Sequence, residues 1–405
     1  MAGPLSHVRV LDLSRIMAGP WATQILADLG ADVIKVERPV VGDDTRGWGP
    51  PFMEGPGGVR GDSGYFLSVN RGKRSVTIDL SKPEGRDIVR SLAAVTDIVV
   101  ENYKVGALAK YGLAYEDLKA VNPRLIYASI TGFGQTGPRR HQAAYDFMIQ
   151  GMGGLMSVTG ERDDLPGGGP QKVGVPIVDI MTGMYSAVAV LAAMARRDQT
   201  GEGDFIDIAM LDVQTAFLAN QAMNYLVSGR EPRRNGNSHP NIQPQDVYRC
   251  KDGHIVLAVG NDGQFAKFSE VIGTPELASD PRFALNAERV RNLPALAAII
   301  REALVLEDMN HWVDRLDAAG VPCGPINTIP EVFKDPQVIE RGMLRRIPHP
   351  LAGTVPQVVS PMRFRDAALA FETAPPLLGQ HTAEVLQELG LADSEIDGLR
   401  ERGVA

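Results

Sequence analysis

The sequence predicts an α/β protein with an open parallel sheet in its larger part. Short apolar runs alternate with helical patterns from Val8 to Ile130, the order that a sheet covered by helices on both faces requires. Turn residues punctuate these runs where helices should start and stop, with Pro20 in a first helical turn and Gly30 after a last one. At 405 residues the chain exceeds one ordinary domain and suggests about two.

Taken in order, Val8 to Leu13 is a strand run, Gly19-Pro20 opens a helix through Leu29, and Asp32 to Val36 makes the next strand. A helix over Pro83 to Val95 leads to a strand over Asp97 to Glu101. A helix over Tyr115 to Asn122 leads to a strand over Leu125 to Ile130. Ligands of open parallel sheets bind beyond the C-terminal strand ends, so the Ser14–Ala18, Glu101–Gly106 and Thr131–Gly137 loops form the expected active edge. The first turn, Ser14-Arg15-Ile16-Met17-Ala18-Gly19-Pro20, lacks the glycine spacing of a dinucleotide site, which disfavours NAD or FAD. Further along, a helix runs to about Arg197, Asp204 to Ala209 alternates as a strand, and one long helix is expected from about Leu211 to Ser228. Gly229 to Gln245, rich in Pro, Asn, Gly and Arg, reads as a loop or boundary. A smaller unit follows, with a strand over Ile255 to Val259 and helices near Phe265–Ile272, Leu293–Leu304 and Asn310–Ala319. The chain closes with a helix around Ile329 to Lys334, an irregular proline-rich section, and a helix over Thr382 to Leu389.

Hydrophobic content of 44% with 22% charged residues describes a globular protein with a sizeable core. The formal charge is −8 and the basic residues are scattered, so no nucleic-acid partner is expected. The N-terminus lacks the basic-then-apolar pattern of a secretory signal, and the longest apolar run, Met184 to Ala195, is short of a membrane span. A cytoplasmic protein without a membrane partner is the expectation. Cys250 and Cys323 form no CxxC, and the seven histidines never fall at helical ligand spacing, so neither a disulfide framework nor a metal is expected.

Asp179 is the only charge between Val173 and Met194. A carboxylate in so apolar a run must be hydrogen-bonded, neutralised or put to chemical use. One reading makes it the cap of the following helix, its oxygen accepting backbone N–H groups of the first turn. The other makes it a carboxylate nucleophile at a helix N-terminus, shielded from water.

Read together, several segments resemble the class III CoA-transferases, the formyl-CoA and carnitine CoA-transferase family. They are Val10-Leu11-Asp12-Leu13 leading to Ala18-Gly19-Pro20, the run Leu29 to Glu37, Thr45-Arg46-Gly47, Lys73-Arg74-Ser75, and Val100-Glu101-Asn102-Tyr103. Asp179-x-x-x-Gly183-Met184, Gly320 to Pro325 and Pro376 to Thr382 complete the pattern, which covers essentially the whole chain. The resemblance implies that Asp179 is the active-site aspartate, in a Rossmann-like large domain joined to a smaller α+β domain, within a homodimer of interlocked rings. The domains would be residues 1–200 for the large domain, 201–228 for a connecting helix, 229–325 for the small domain, and 326–405 for a return segment completing the large one. By similarity CoA, a substrate and not a resident cofactor, would lie against Met17-Ala18, Arg38, Ile78 to Ser81, Asn102-Tyr103, Lys110 and Ala143 to Tyr145. On physical grounds Arg38 is a guanidinium just beyond a strand end, suited to stacking or phosphate contact. Asn102 also reads as the holder of a strand-end turn, and Lys110 as an ordinary surface lysine.

Three departures bear on the substrate. Met17 stands where formyl-CoA transferases carry a polar amide, which argues against a small oxalate-type acid. Lys110 replaces an arginine. The family's glycine-rich loop is replaced by Asn235-Gly236-Asn237-Ser238-His239-Pro240-Asn241, whose backbone N–H groups are candidates to stabilise an oxyanion. With Arg233 and Arg234 nearby, that loop suits a dicarboxylate such as succinate. The implied reaction moves CoA from an acyl-CoA to a free carboxylic acid through an aspartyl anhydride and an aspartyl-CoA thioester. The α-methylacyl-CoA racemases are the nearest alternative, but they need a histidine base where this chain carries Tyr145, a phenol that stays protonated near neutral pH. Asp146 beside it reads as structural. A CoA-binding protein without turnover, and an acyl-CoA hydrolase, are the further alternatives.

Overall fold

A computed structural model describes residues 3–405, so the first two positions of the expected large domain lie outside it. Six strands form one sheet: β1 (Arg9–Asp12), β2 (Asp32–Glu37), β3 (Lys73–Thr77), β4 (Ile98–Glu101), β5 (Ile126–Thr131) and β6 (Asp204–Ala209). Their spatial order is 3-2-1-4-5-6 and every pairing is parallel, the Rossmann arrangement. The order reverses between β1 and β4, which opens a crevice at their C-terminal ends.

Alternation along each strand divides the core between the two faces. Leu11, Ile34 and Val99 pack with helix Pro83–Ala94 and with Val385, Leu386, Ile396 and Leu399 of the C-terminal helices. Val10, Val33, Ile98 and Val100 pack on the other face with Leu26, Val190 and Met194 from helices Ala18–Asp28 and Ile177–Thr200. Helix Ala18–Asp28 ends where expected, with Gly30 at φ 99°, a conformation that favours glycine. Helix Ile177–Thr200 is 24 residues long, with a mean hydropathy of 1.8 over its most apolar window, enough by length and composition to cross a bilayer. Here it packs as a core helix against Ala18–Asp28. Gly183 makes that approach feasible, because a Cβ there would sit 2.7 Å from the Ala18 carbonyl oxygen and 2.9 Å from the Trp21 ring.

Several elements depart from expectation. Strand β3 escaped notice because its inward residues are Lys73 and Ser75; Lys73 is fully buried and its Nζ lies 3.1 Å from Asp12 Oδ2. The proline-rich section holds a two-stranded ribbon, Leu344–His349 paired antiparallel with Gly353–Val358. Pro348 and Pro356 are tolerated there because each strand has a free edge. A final helix, Asp393–Glu401, follows Thr382–Glu388. The single helix expected over Leu211 to Ser228 is two, Met210–Ala216 and Ala219–Ser228. It breaks where Phe217 packs with Ile149 and Val178 and Ala219 turns to φ 43°.

The chain forms two compact units. The first holds residues up to Leu155, Val173–Ala219 and Gln337–Ala405, and the second holds Met156–Lys172 and Asn220–Pro336. Within the second, Cys323–Pro325, His254–Ala258 and Gln245–Arg249 make an antiparallel sheet in that order. Its core gathers Tyr248, Leu257, Phe265, Phe268, Ile300 and Trp312 from that sheet and from helices Asp262–Val271, Leu293–Leu304 and Met309–Ala318. The larger unit is therefore Rossmann-like and the smaller α+β.

Gly183→Ala is expected to destabilise the larger unit by about 1–3 kcal/mol, because backbone atoms must move to admit the methyl group. Urea melts followed by tryptophan fluorescence measure it; an unchanged midpoint would mean that the two helices have slack.

Candidate active site

The crevice between β1 and β4 is built by the loops that leave these strands. Asp12, at the end of β1, accepts Ser14 N at 2.9 Å and Ser14 Oγ at 2.5 Å, folding the loop back on its own strand. Gly19 allows the helix to start close against it, since a Cβ there would lie 2.3 Å from the Ser14 side chain. From β4, Asn102 reaches across the crevice: its Oδ1 accepts Arg15 N at 2.9 Å and its Nδ2 donates to Arg15 O at 2.7 Å. Asn102 thus ties the two loops together, a wider role than holding its own strand-end turn.

Asp179 enters from helix Ile177–Thr200, as the third residue of its first turn. Asp179 does not cap this helix, contrary to the first of its two readings. Pro176 precedes the helix and offers no side-chain acceptor, and the cap comes from outside, from Asp146. Asp146 Oδ2 accepts Val178 N at 2.7 Å and Asp179 N at 3.2 Å, while its Oδ1 accepts Gln150 Nε2 at 2.5 Å. Gln150 is fixed in turn, its Oε1 accepting Val173 N at 2.9 Å. With the helix end satisfied, no hydrogen bond among the described residues reaches the Asp179 carboxylate. Burial, and then the Asp146 carboxylate, push its pKa up to about 7. Burial, and then the charges of these same two carboxylates, push the Tyr65 phenol up to about 12. Trp48 meets the Tyr65 ring edge-on at 5.4 Å.

A cavity of about 370 Å³ opens at this point, in the size range of small-molecule sites. It brings together Met17, Ala18, Asn102, Tyr103, Tyr145 and Asp179. Arg38, Ile78 and Ser81 line a second cavity of about 150 Å³, and Arg15 and Tyr103 belong to both. The expected CoA contacts therefore fall in two adjoining hollows. Lys110 lines neither; it is exposed, and its neighbour Tyr111 faces the second cavity in its place. Arg140 lines the first cavity too, as do Arg15, Lys104 and Thr131, whose side chains nothing in local sequence marked. Only their loops, on the active edge, were legible. No histidine lines the Asp179 cavity.

The loop Asn235 to His239 belongs to the second unit and is organised by its own bonds. Gly236, at φ 61°, donates its N–H to Gly160 O at 3.2 Å, and Ser238 N donates to Asn235 O at 3.1 Å, a turn that also carries Asn237. Ser238 Oγ accepts Gln243 Nε2 at 2.9 Å. His239 Nδ1 accepts Asn241 N and Ile242 N, both at 3.1 Å. Arg234 pairs with Asp163, and Arg162 and Arg233 line the same cleft. Among the described residues no three His, Cys, Asp or Glu side chains gather as a metal cage.

Fold and site together define an α/β protein with a strongly perturbed carboxyl group beside the ligand crevice of a Rossmann-like sheet. Residues 5–382 match CoA-transferase family III. A protein of Agrobacterium fabrum named succinate–glutarate CoA-transferase is 49% identical over 386 residues, 95% of this chain and 96% of that one. A Homo sapiens protein named succinyl-CoA:glutarate CoA-transferase is 42% identical over 402 residues, 99% of this chain and 90% of that one. A crystal structure of a CaiB/BaiF family protein from Brucella suis superposes with a TM-score of 0.84 at 51% identity, covering 96% of this chain and all of that one. The chain belongs to CoA-transferase family III, and it is an enzyme that transfers CoA from an acyl-CoA to a free carboxylic acid.

The raised pKa of Asp179 fixes the sign of a stability effect. The folded protein holds this proton up to about pH 7, whereas the unfolded chain releases it near pH 4, so stability falls as pH rises between them. Asp179→Asn is therefore expected to raise the melting temperature at about pH 8, with the gain shrinking below 7 and gone near 4. A constant or absent gain across that range would show an unperturbed carboxylate.

Proposed function

We propose that Asp179 is the nucleophile of this transfer and that the acids exchanged are dicarboxylates, succinate as donor and glutarate or a similar chain as acceptor. The single observation that carries the first part is the unengaged Asp179 carboxylate, held at a helix N-terminus whose N–H groups another acid satisfies. Desolvation raises both its basicity and its reactivity toward a carbonyl carbon. Support for the dicarboxylates comes from the names of the relatives.

In the first step an Asp179 oxygen adds to the thioester carbonyl. The C–S bond breaks, CoA leaves as thiolate, and a mixed anhydride joins Asp179 to the acyl group. The thiolate then adds to the aspartyl carbonyl and expels the donor acid as carboxylate, leaving an aspartyl-CoA thioester. An acceptor carboxylate displaces the thiolate from that carbonyl to form a second anhydride. Attack of the thiolate on the acceptor's own carbonyl releases the new acyl-CoA and frees Asp179. Each step exchanges one activated acyl bond for another, so the protein's task is to orient the groups and exclude water. Arg15, Lys104 and Arg140 around the first cavity, and Arg38 in the second, supply positive charge for the phosphates of CoA. A racemase is not favoured, because Tyr145 occupies the place of the second base and no histidine lines the cavity.

The working enzyme is proposed to be a homodimer in the cytoplasm. Helix Ala219–Ser228 buries none of its residues and exposes Met223, Leu226 and Val227, an apolar face suited to a second copy. Both cysteines are free thiols, which suits a reducing compartment.

Incubation with succinyl-CoA and a panel of free acids, read by mass spectrometry of new thioesters, tests this reading. Dicarboxylates of four to six carbons are expected to exchange at least about tenfold faster than monocarboxylates of equal length, a difference of about 1.4 kcal/mol. A preference for monocarboxylates would overturn the substrate assignment. Asp179→Ala is expected to abolish exchange while CoA affinity stays within about tenfold; near-normal turnover in that variant would remove Asp179 from the chemistry.

A further inference from the structure

Ile16 has φ 70°, in the left-handed region, which a β-branched side chain adopts only under constraint. It lies in the Ser14–Ala18 loop and lines the cavity next to Met17 and Ala18. A conformation of this kind costs on the order of 1–3 kcal/mol and persists only where neighbouring groups over-determine it. Here the neighbours are buried charges. Ile16 N–H is shared between the two Asp43 oxygens, at 3.3 and 3.2 Å. Asp43 Oδ2 also takes Lys35 Nζ at 2.9 Å, and the same Nζ donates to Ser14 O at 2.9 Å, so one ion pair holds the loop at two points. Neither side chain of this pair is exposed to solvent. Thr45 fixes the other Asp43 oxygen through its N–H at 3.0 Å and its hydroxyl at 2.8 Å.

Stability alone is a poor account of this arrangement. Replacing a buried ion pair with well-packed apolar side chains is often neutral or stabilising. The pair instead enforces a backbone conformation that Ile16 would otherwise leave. We propose that Asp43 and Lys35 are positioning residues for the transfer, holding Ile16 left-handed so that the Met17–Ala18 backbone presents itself to the acyl-CoA. Burial would raise the Asp43 pKa, but the Lys35 charge and the Thr45 N–H outweigh it and hold the group below the usual carboxylate range. The grip is therefore charged throughout the neutral range. This inference rests on the reading that the Ser14–Ala18 loop receives CoA.

A double-mutant cycle tests it. Glycine adopts positive φ without cost, so Ile16→Gly should make the grip redundant. Asp43→Asn keeps the shape and one acceptor but removes the charge that engages Lys35. The KM for succinyl-CoA and the dissociation constant of free CoA, by calorimetry, are measured for the full-length enzyme, both single variants and the double variant. In the native background Asp43→Asn is expected to raise both constants about tenfold, or about 1.4 kcal/mol, with kcat within about threefold. In the Ile16→Gly background the same substitution is expected to cost less than about threefold. An equal cost in both backgrounds, or a lowered melting temperature with unchanged constants, overturns the proposal. Affinity is read apart from the chemistry, so near-normal turnover in Asp179→Ala, or a preference for monocarboxylates, would end the proposed function and leave this inference standing. Should Asp43→Asn fail to fold, amide exchange in the native protein serves: the Ile16 N–H is expected to be the slowest of Ser14 to Met17, and rapid exchange there overturns the proposal.

Discussion

The site depends on a hydrogen bond that Asp179 does not make. A helix leaves its first N–H groups without partners, and an acid in the first turn is ordinarily drawn to them. Asp146 takes that work, accepting Val178 N and Asp179 N from a separate helix and being steadied by Gln150. The consequence for Asp179 is twofold. Its carboxylate has no donor to lower its energy, and it stands beside a second negative group, so both burial and charge hold its proton to about pH 7. Such a carboxylate is a better nucleophile toward a thioester than a well-solvated one.

The rest of the larger unit positions this acid. Parallel order with a reversal between β1 and β4 makes the crevice, Asn102 stitches its two lips together, Gly19 lets its helix start against Ser14, and Gly183 lets the two helices approach. Gly183 lies four residues after Asp179, one turn further along the same helix. The close packing it permits against Ala18–Asp28 sets the height at which the carboxylate meets the loop carrying Met17 and Ala18. Beneath that loop, charges replace apolar packing: Asp12, Lys35, Asp43 and Lys73 are all buried and paired.

How much of this was legible in the sequence follows from what each residue is buried against. Strands β1, β2, β4 and β5 announced themselves because both their faces meet apolar helices. β3 did not, because two of the side chains it buries, Lys73 and Ser75, are polar and pair with acids far away in sequence. The ribbon at Leu344–His349 and Gly353–Val358 was hidden by prolines that only a free edge can host. Asp179 stood out as one charge in an apolar run, yet whether it capped its helix or was free depended on Asp146, more than thirty residues away. Arg15 and Lys104 carry no local mark at all; the sheet assembles them from different loops. Lys110, a position inferred from resemblance, has an exposed side chain, while its neighbour Tyr111 lines the second cavity.

The central claim is that the Asp179 carboxyl carbon becomes an acyl centre during turnover. The most direct measurement is peptide mass spectrometry after incubation with succinyl-CoA and a quench with hydroxylamine, which converts an aspartyl anhydride or thioester into a hydroxamate. The account predicts that mass change on the peptide spanning Val173 to Arg196, localised to Asp179 and absent without acyl-CoA. An unmodified Asp179 in enzyme that is turning over would contradict it.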